Sequence, residues 1–175
     1  MKKTLVIFAI AVFCIATLLS PIYVLEVRVD GTEELVYQQK AKLGETFDVE
    51  WIHSVTKQPV IETYQLVDIG QIPITKMVFD EFGPNLPARP EFNQEWIIAD
   101  GKFTVINYER IFERVPVTIG AVIANHTLIY NGQITPLKDV FRPGGYVHIG
   151  LAKKSWGQFL IEEVKIWQKS KKKLT

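Results

Sequence analysis

The sequence predicts a mainly β protein, an antiparallel sandwich or partly open barrel, with an N-terminal transmembrane helix before it and a short C-terminal amphipathic helix after it. Three observations carry that expectation. From Leu25 onward, short segments of alternating apolar and polar residues recur between Gly, Pro, Asn and Asp punctuation. No charged residue interrupts the run from Leu5 to Leu25. Between Ser155 and Lys173, Trp156, Phe159, Leu160, Val164 and Trp167 return at three- and four-residue spacing.

The apolar run, broken only by Thr17, Ser20 and Pro21, extends ~30 Å as a helix, about the thickness of a bilayer's hydrocarbon core. Lys2 and Lys3 before it, with Glu26 and Asp30 after it, predict a single-pass protein with the domain outside the cell membrane. A cleaved signal peptide is the alternative, with Cys14-Ile15-Ala16 as its small-x-small site. The apolar run continues past that site to Leu25, which favours an uncleaved anchor. Residues 1–25 are thus the anchor or signal, 26–154 the extracytoplasmic β domain, and 155–175 the amphipathic helix with a lysine-rich tail.

Within the domain, Leu25 to Val29 alternates and ends at the turn dipeptide Asp30-Gly31. Leu35 to Ala41, Thr46 to Ser54, Ile61 to Ile69, Ile72 to Asp80, Glu95 to Ala99 and Phe103 to Asn107 are further strands. Asp100-Gly101 and Asn131-Gly132 are hairpin dipeptides, the second flanked by Thr127 to Tyr130 and Gln133 to Thr135. Gly145 to Ala152 closes the sheet. Phe82 to Pro90, rich in Pro and Gly, is an irregular surface loop. Ser155 and Gln158 form a capping box for the last helix. That helix either packs on the sheet or lies on the membrane surface beside the anchor.

Composition narrows the function. Cys14 is the one cysteine, so the domain is held by packing and not by an internal disulfide. Lys plus Arg number 20 against 19 Asp plus Glu, without the basic stripe that a nucleic-acid surface needs. The three histidines show no HxH, HxxxH or CxxC spacing, so no metal or other cofactor is expected.

His53-Ser54, in WIHSVTKQPVIETY, is the one juxtaposition that suggests a base and its nucleophile. Alternation along a strand sends the two side chains to opposite faces, His53 with Phe47, Val49 and Trp51, and Ser54 with Asp48, Glu50 and Ile52. The dyad reading therefore fails if both residues lie in regular strand. A four-residue loop at Thr56 to Pro59 would instead set His53 opposite Glu62 and Trp51 opposite Tyr64, an imidazole–carboxylate pair. Such a pair either specifies register or forms a polar pocket, and His126 joins it only if the fold brings it near. Arg110, within the sign-alternating Tyr108 to Arg114, sits on a solvated edge or turn, or binds an anionic group.

His53-Ser54-Val55, Pro59-Val60-x-Glu62, Phe82-Gly83-x-x-Leu86-Pro87 and Ala124-Asn125-His126-Thr127-Leu128, before a closing Pro143-Gly144 turn, resemble the bacterial family named domain of unknown function 1850. The resemblance spans about Leu35 to Leu151 and departs where Pro84-Asn85 stands in place of a small residue and glycine. It carries over His53, Ser54, Pro59, Glu62, Gly83, Pro87 and His126 without assigning roles. It implies a genomic partner: the permease, or solute receptor, of a tripartite ATP-independent periplasmic (TRAP) transporter of the TAXI class. The expectation is a non-enzymatic accessory of such a transporter. A small-ligand or metal-binding module using His53, Glu62 and His126 is the alternative, and an envelope hydrolase using Ser54 is the third.

Overall fold

The computed structural model describes residues 2–84 and 86–172; Asn85 and the last three residues of the lysine-rich tail lie outside the described residues. In chain order the elements are α1 (Lys2–Leu19), β1 (Pro21–Val29), β2 (Leu35–Ala41), β3 (Thr46–Ile52), β4 (Pro59–Gln65) and β5 (Ile72–Phe79). Then come β6 (Glu95–Ala99), β7 (Lys102–Ile106), β8 (Ile111–Phe112), β9 (Val115–Thr118), β10 (Thr127–Tyr130) and β11 (Gln133–Pro136). The one-turn helix α2 (Leu137–Val140), β12 (Tyr146–Ser155) and α3 (Trp156–Lys172) complete the chain.

The strands form two antiparallel sheets, ordered β2-β1-β12-β9 and β11-β10-β3-β4-β5-β7-β6, with β8 beside the start of β5. Neither path closes on itself, so the strands form two open antiparallel sheets and no closed barrel, as expected. Alternation does the packing. In β1, Leu25, Val27 and Val29 enter the core, where Phe47 and Val49 of β3 and Val60 and Tyr64 of β4 meet them. The hairpin dipeptides hold as expected: Asp100 and Gly101 have φ of 53° and 73°, and Asn131 and Gly132 of 49° and 74°, the positive pair that a two-residue turn requires.

The long apolar run is two elements. Pro21 cannot continue a helix by backbone hydrogen bonding, so α1 stops at Leu19 and residues 21–25 open β1. The expected division after residue 25 therefore falls inside a strand paired residue by residue with β12, Pro21 against Ser155 through Val29 against Val147. α1 has 18 residues, none buried, and is long and apolar enough to cross a membrane, which is compatible with an anchor or a signal sequence.

Strand directions define two ends of the β domain. β1 leaves α1 at Pro21, while β12 and β2 return to that end at Ser155 and Ala41. Residues 42–45 then deliver the chain to Thr46, so β3 starts at the α1 end and finishes at Ile52 at the other. The 53–58 turn, the loop after Phe79 and the segment before Thr127 all leave from that remote end. The nine residues of β1 separate the two ends by ~30 Å.

α3 begins with the expected capping box: Gln158 N–H donates to Ser155 Oγ at 3.2 Å, and Ser155 N–H donates to Gln158 Oε1 at 3.0 Å. It packs on the outer face of the four-stranded sheet through polar groups. Lys154 Nζ lies 2.8 Å from Glu26 and 2.6 Å from Glu162, and donates to Gln38 Oε1 at 3.2 Å. Gln38 Nε2 in turn donates to Phe159 O at 2.9 Å. Most of the sequence's apolar stripe therefore faces outward, with Leu160, Val164 and Trp167 exposed.

Candidate functional site

Strand β3 ends at Ile52 because of His53. Val55 and Thr56 N–H donate to His53 Nδ1 at 3.3 and 3.1 Å, while Lys57 N–H donates to His53 O at 2.9 Å. The imidazole thus turns the chain as a capping side chain does, by giving the next backbone donors an acceptor. With Nδ1 accepting, Nε2 carries the proton and donates to Pro84 O at 2.9 Å. His53 is 3% exposed, and both its ring nitrogens are engaged by backbone.

That turn overturns the expected pairing. Ile52 faces Pro59, so the loop has six residues, and Glu62 faces Val49 while Trp51 faces Val60. The predicted face survives and the register does not: Phe47, not Trp51, opposes Tyr64, with the two rings stacked at 5.3 Å. His53 and Glu62 do not meet. Ser54 is exposed, and His53 has no free ring nitrogen to activate it, so the dyad is absent.

The partner of His53 is Gly83. A Cβ built there would lie 2.5 Å from His53 Cε1 and 3.0 Å from Nε2, so the imidazole occupies the space that any other residue would need. On either side, Phe82 packs against Phe103 at 4.4 Å, and Leu86 is buried, with its N–H donating to Gly83 O at 3.1 Å. Pro87, half-buried, follows that turn. His126 stands across Trp51, whose ring lies 5.7 Å from His53 and 6.0 Å from His126. Gly120 N–H donates to His126 Nδ1 at 3.2 Å, and burial lowers the His126 pKa. His53 and Gly83 thus lock two loops together at the end remote from α1, and His126, bonded within its own loop, stacks on Trp51 beside them.

Glu62 and Arg110 form a second group near the middle of the larger sheet. Tyr64 OH donates to Glu62 Oε2 at 2.8 Å, and the Arg110 guanidinium lies 4.5 Å over the Phe112 ring. Burial raises the Glu62 pKa; the Tyr64 hydroxyl and the Arg110 charge oppose that shift without cancelling it. Tyr108 is pushed up to about 12 by burial and by the charges of Glu62 and Glu91, and its hydroxyl is buried without a partner. Trp96 Nε1 is likewise buried and unpartnered. Among the described residues, no three His, Cys, Asp or Glu gather into a metal set.

Residues 47–137 match the family model described as Domain of unknown function (DUF1850). The chain belongs to this family. No curated protein and no solved structure matches it. The DUF1850 match takes in β3 to β11, and with them all seven candidates: His53, Ser54, Glu62, Gly83, Pro87, Arg110 and His126. It leaves α1, β1, β2, β12 and α3 outside. Within the DUF1850 segment, the histidine motif and the Phe82-Gly83 motif are two halves of one interlock. Tyr64 and Tyr108 are the members of the central group that spacing did not single out. Tyr64 was detectable, since it shares a strand face with Glu62 two residues away.

Glu62 yields a pH prediction. Its folded pKa is raised above the unfolded 4.5, so its stabilising contribution is complete below pH 4.5 and is lost as pH rises through the folded pKa. Glu62→Gln, which mimics the protonated acid, is expected to raise the urea midpoint at pH 7 and to leave it unchanged at pH 4. A lower midpoint at pH 7 would show that the ionised carboxylate stabilises the fold.

Proposed function

We propose that this DUF1850 protein is a membrane-anchored, extracytoplasmic and non-enzymatic accessory of a TAXI-class TRAP transporter, and that it meets the permease or solute receptor through the end of the β domain remote from α1. The observation that supports this reading is the distribution of exposed apolar side chains on the loops at that end. Val55 is 64% exposed, Phe92 91% and Val122 92%, on the three loops that carry His53, Gly83 and His126. Large apolar groups presented on braced loops suit protein contact, because little conformational entropy remains to be lost on docking. The engagement of His53 by backbone speaks for a scaffold and against catalysis. The choice of transporter rests on the genomic association implied by the family resemblance.

The anchor confines the domain near the permease and so raises its effective concentration there. Val55→Glu together with Val122→Glu is expected to abolish co-purification of transporter subunits from detergent extracts. Being surface changes, they should shift stability by no more than about 0.5 kcal/mol each. Recovery of no transporter subunit with the unaltered chain, and unchanged solute uptake after deletion of the gene, would sink the proposal.

A further inference from the structure

We infer that α3 lies on the surface of an anionic membrane as a second attachment beside α1, with the four-stranded sheet on one flank and lipid on another. Three observations converge on this. The first is position: Trp156 N–H donates to Ser20 O at 3.1 Å, and a Cβ at Gly157 would lie 3.4 Å from Leu18 O. α3 therefore starts in contact with the last turn of the helix that is long and apolar enough to cross a membrane.

The second is the uncovered stripe. Phe159, Glu162, Glu163 and Ile166 turn toward the sheet side, where Gln38 and Lys154 bond the helix and Phe159 and Ile166 flank Tyr37. Leu160, Val164 and Trp167, at i, i+4 and i+7, are 47%, 53% and 56% exposed, and neighbouring Ile161 is 59% exposed. A stripe this apolar, ending in tryptophan, is what an interfacial helix presents to the acyl–headgroup boundary.

The third is charge. Lys40 and Lys153, exposed at the anchor end, lie 4.9 Å over the Trp156 ring and 5.7 Å over the Tyr23 ring. Exposed Lys42 follows at the same end; at the far end of α3, where Lys169 bridges Glu34 at 2.7 Å, Lys171 sits 4.2 Å over Trp167. Aromatic rings paired with ammonium groups at both ends of α3 match a headgroup layer of anionic lipid running along the helix, to which each lysine near the surface adds attraction.

The inference rests on α1 being embedded, as the proposed function requires, and the test reads the two separately. The full-length chain is reconstituted in vesicles of phosphatidylcholine with phosphatidylglycerol. An environment-sensitive fluorophore is placed on native Cys14, or in a Cys14→Ser background on Val164→Cys or on Lys165→Cys. Lipids carrying nitroxides at shallow or deep acyl positions serve as quenchers. Cys14 should be quenched by deep nitroxides, and Val164→Cys by shallow ones at least about threefold more strongly than Lys165→Cys, which occupies a different face of the helix. Replacing Lys40, Lys42 and Lys153 with Gln should weaken the quenching at Val164→Cys. Equal quenching at positions 164 and 165, with Cys14 quenched, overturns the inference and leaves the anchor standing. An unquenched Cys14 overturns both.

Discussion

Adding a single methyl group at Gly83 is expected to destabilise the domain by about 1–3 kcal/mol, the range for overpacking a filled interior. The cause is steric and local. The φ of Gly83 lies outside the left-handed region, so alanine carries no backbone penalty there; what it meets is His53 Cε1 at 2.5 Å. His53→Ala should cost more, about 3 kcal/mol or above, since it leaves a cavity and removes the acceptor of two backbone N–H groups and the donor to Pro84 O. The two effects must couple. With the imidazole gone, the methyl group at position 83 has room, so the Gly83→Ala penalty should shrink by more than about 1 kcal/mol in the His53→Ala background, well outside ordinary additivity. Urea unfolding of the four proteins in detergent micelles measures this cycle. Equal penalties in both backgrounds would mean that the interlock does not hold the two loops.

The features that were legible in the sequence are those written in a few adjacent residues. Asp100-Gly101 and Asn131-Gly132 marked their hairpins because positive φ at both positions is a local backbone requirement. Ser155 and Gln158 marked the start of α3 because both halves of the capping box lie within one turn. Alternation placed Phe47, Val49 and Trp51 on one face of β3, and that face held. Register did not follow, because it depends on where the turn begins, and His53 starts it early by drawing Val55 and Thr56 N–H onto its ring. β8 and β9, with two and four residues, lack the hairpin dipeptide that marked the equally short β10 and β11. Gly83 was singled out by resemblance alone; its reason, an imidazole against its Cα, lies 30 residues away in sequence. The apolar stripe of α3 pointed outward for a comparable reason. Buried docking is carried by Glu26, Gln38 and Lys154, polar residues that a hydrophobic pattern cannot rank as core.

Lys154→Met is expected to cost about 1–3 kcal/mol at pH 7, because it removes one of the two cations that hold the buried Glu26 carboxylate and leaves it to Arg28 alone. Lys154 keeps 8% of its side chain exposed and Glu26 keeps 10%, so water cannot replace the lost partner. The loss should reach α3 first, since Lys154 also bonds Glu162 and Gln38; limited proteolysis would then cut between Ser155 and Lys172 in the variant before the intact protein. Acid distinguishes this cause from mere loss of packing. Burial pushes the Glu26 pKa up, but Arg28 and Lys154 together pull it below its ordinary 4.5. A lowered carboxyl contributes stability above pH 4.5 and loses it as pH falls through the folded pKa, so the intact protein weakens there. In Lys154→Met the burial remains while one of the two cations is gone, and the carboxyl accepts its proton at higher pH. The penalty of the substitution should therefore shrink between pH 7 and pH 4, and adding Glu26→Gln should recover about half of it at pH 7. A penalty independent of pH and untouched by Glu26→Gln would mean that the methylene stem of Lys154, and not its charge, holds α3 to the sheet.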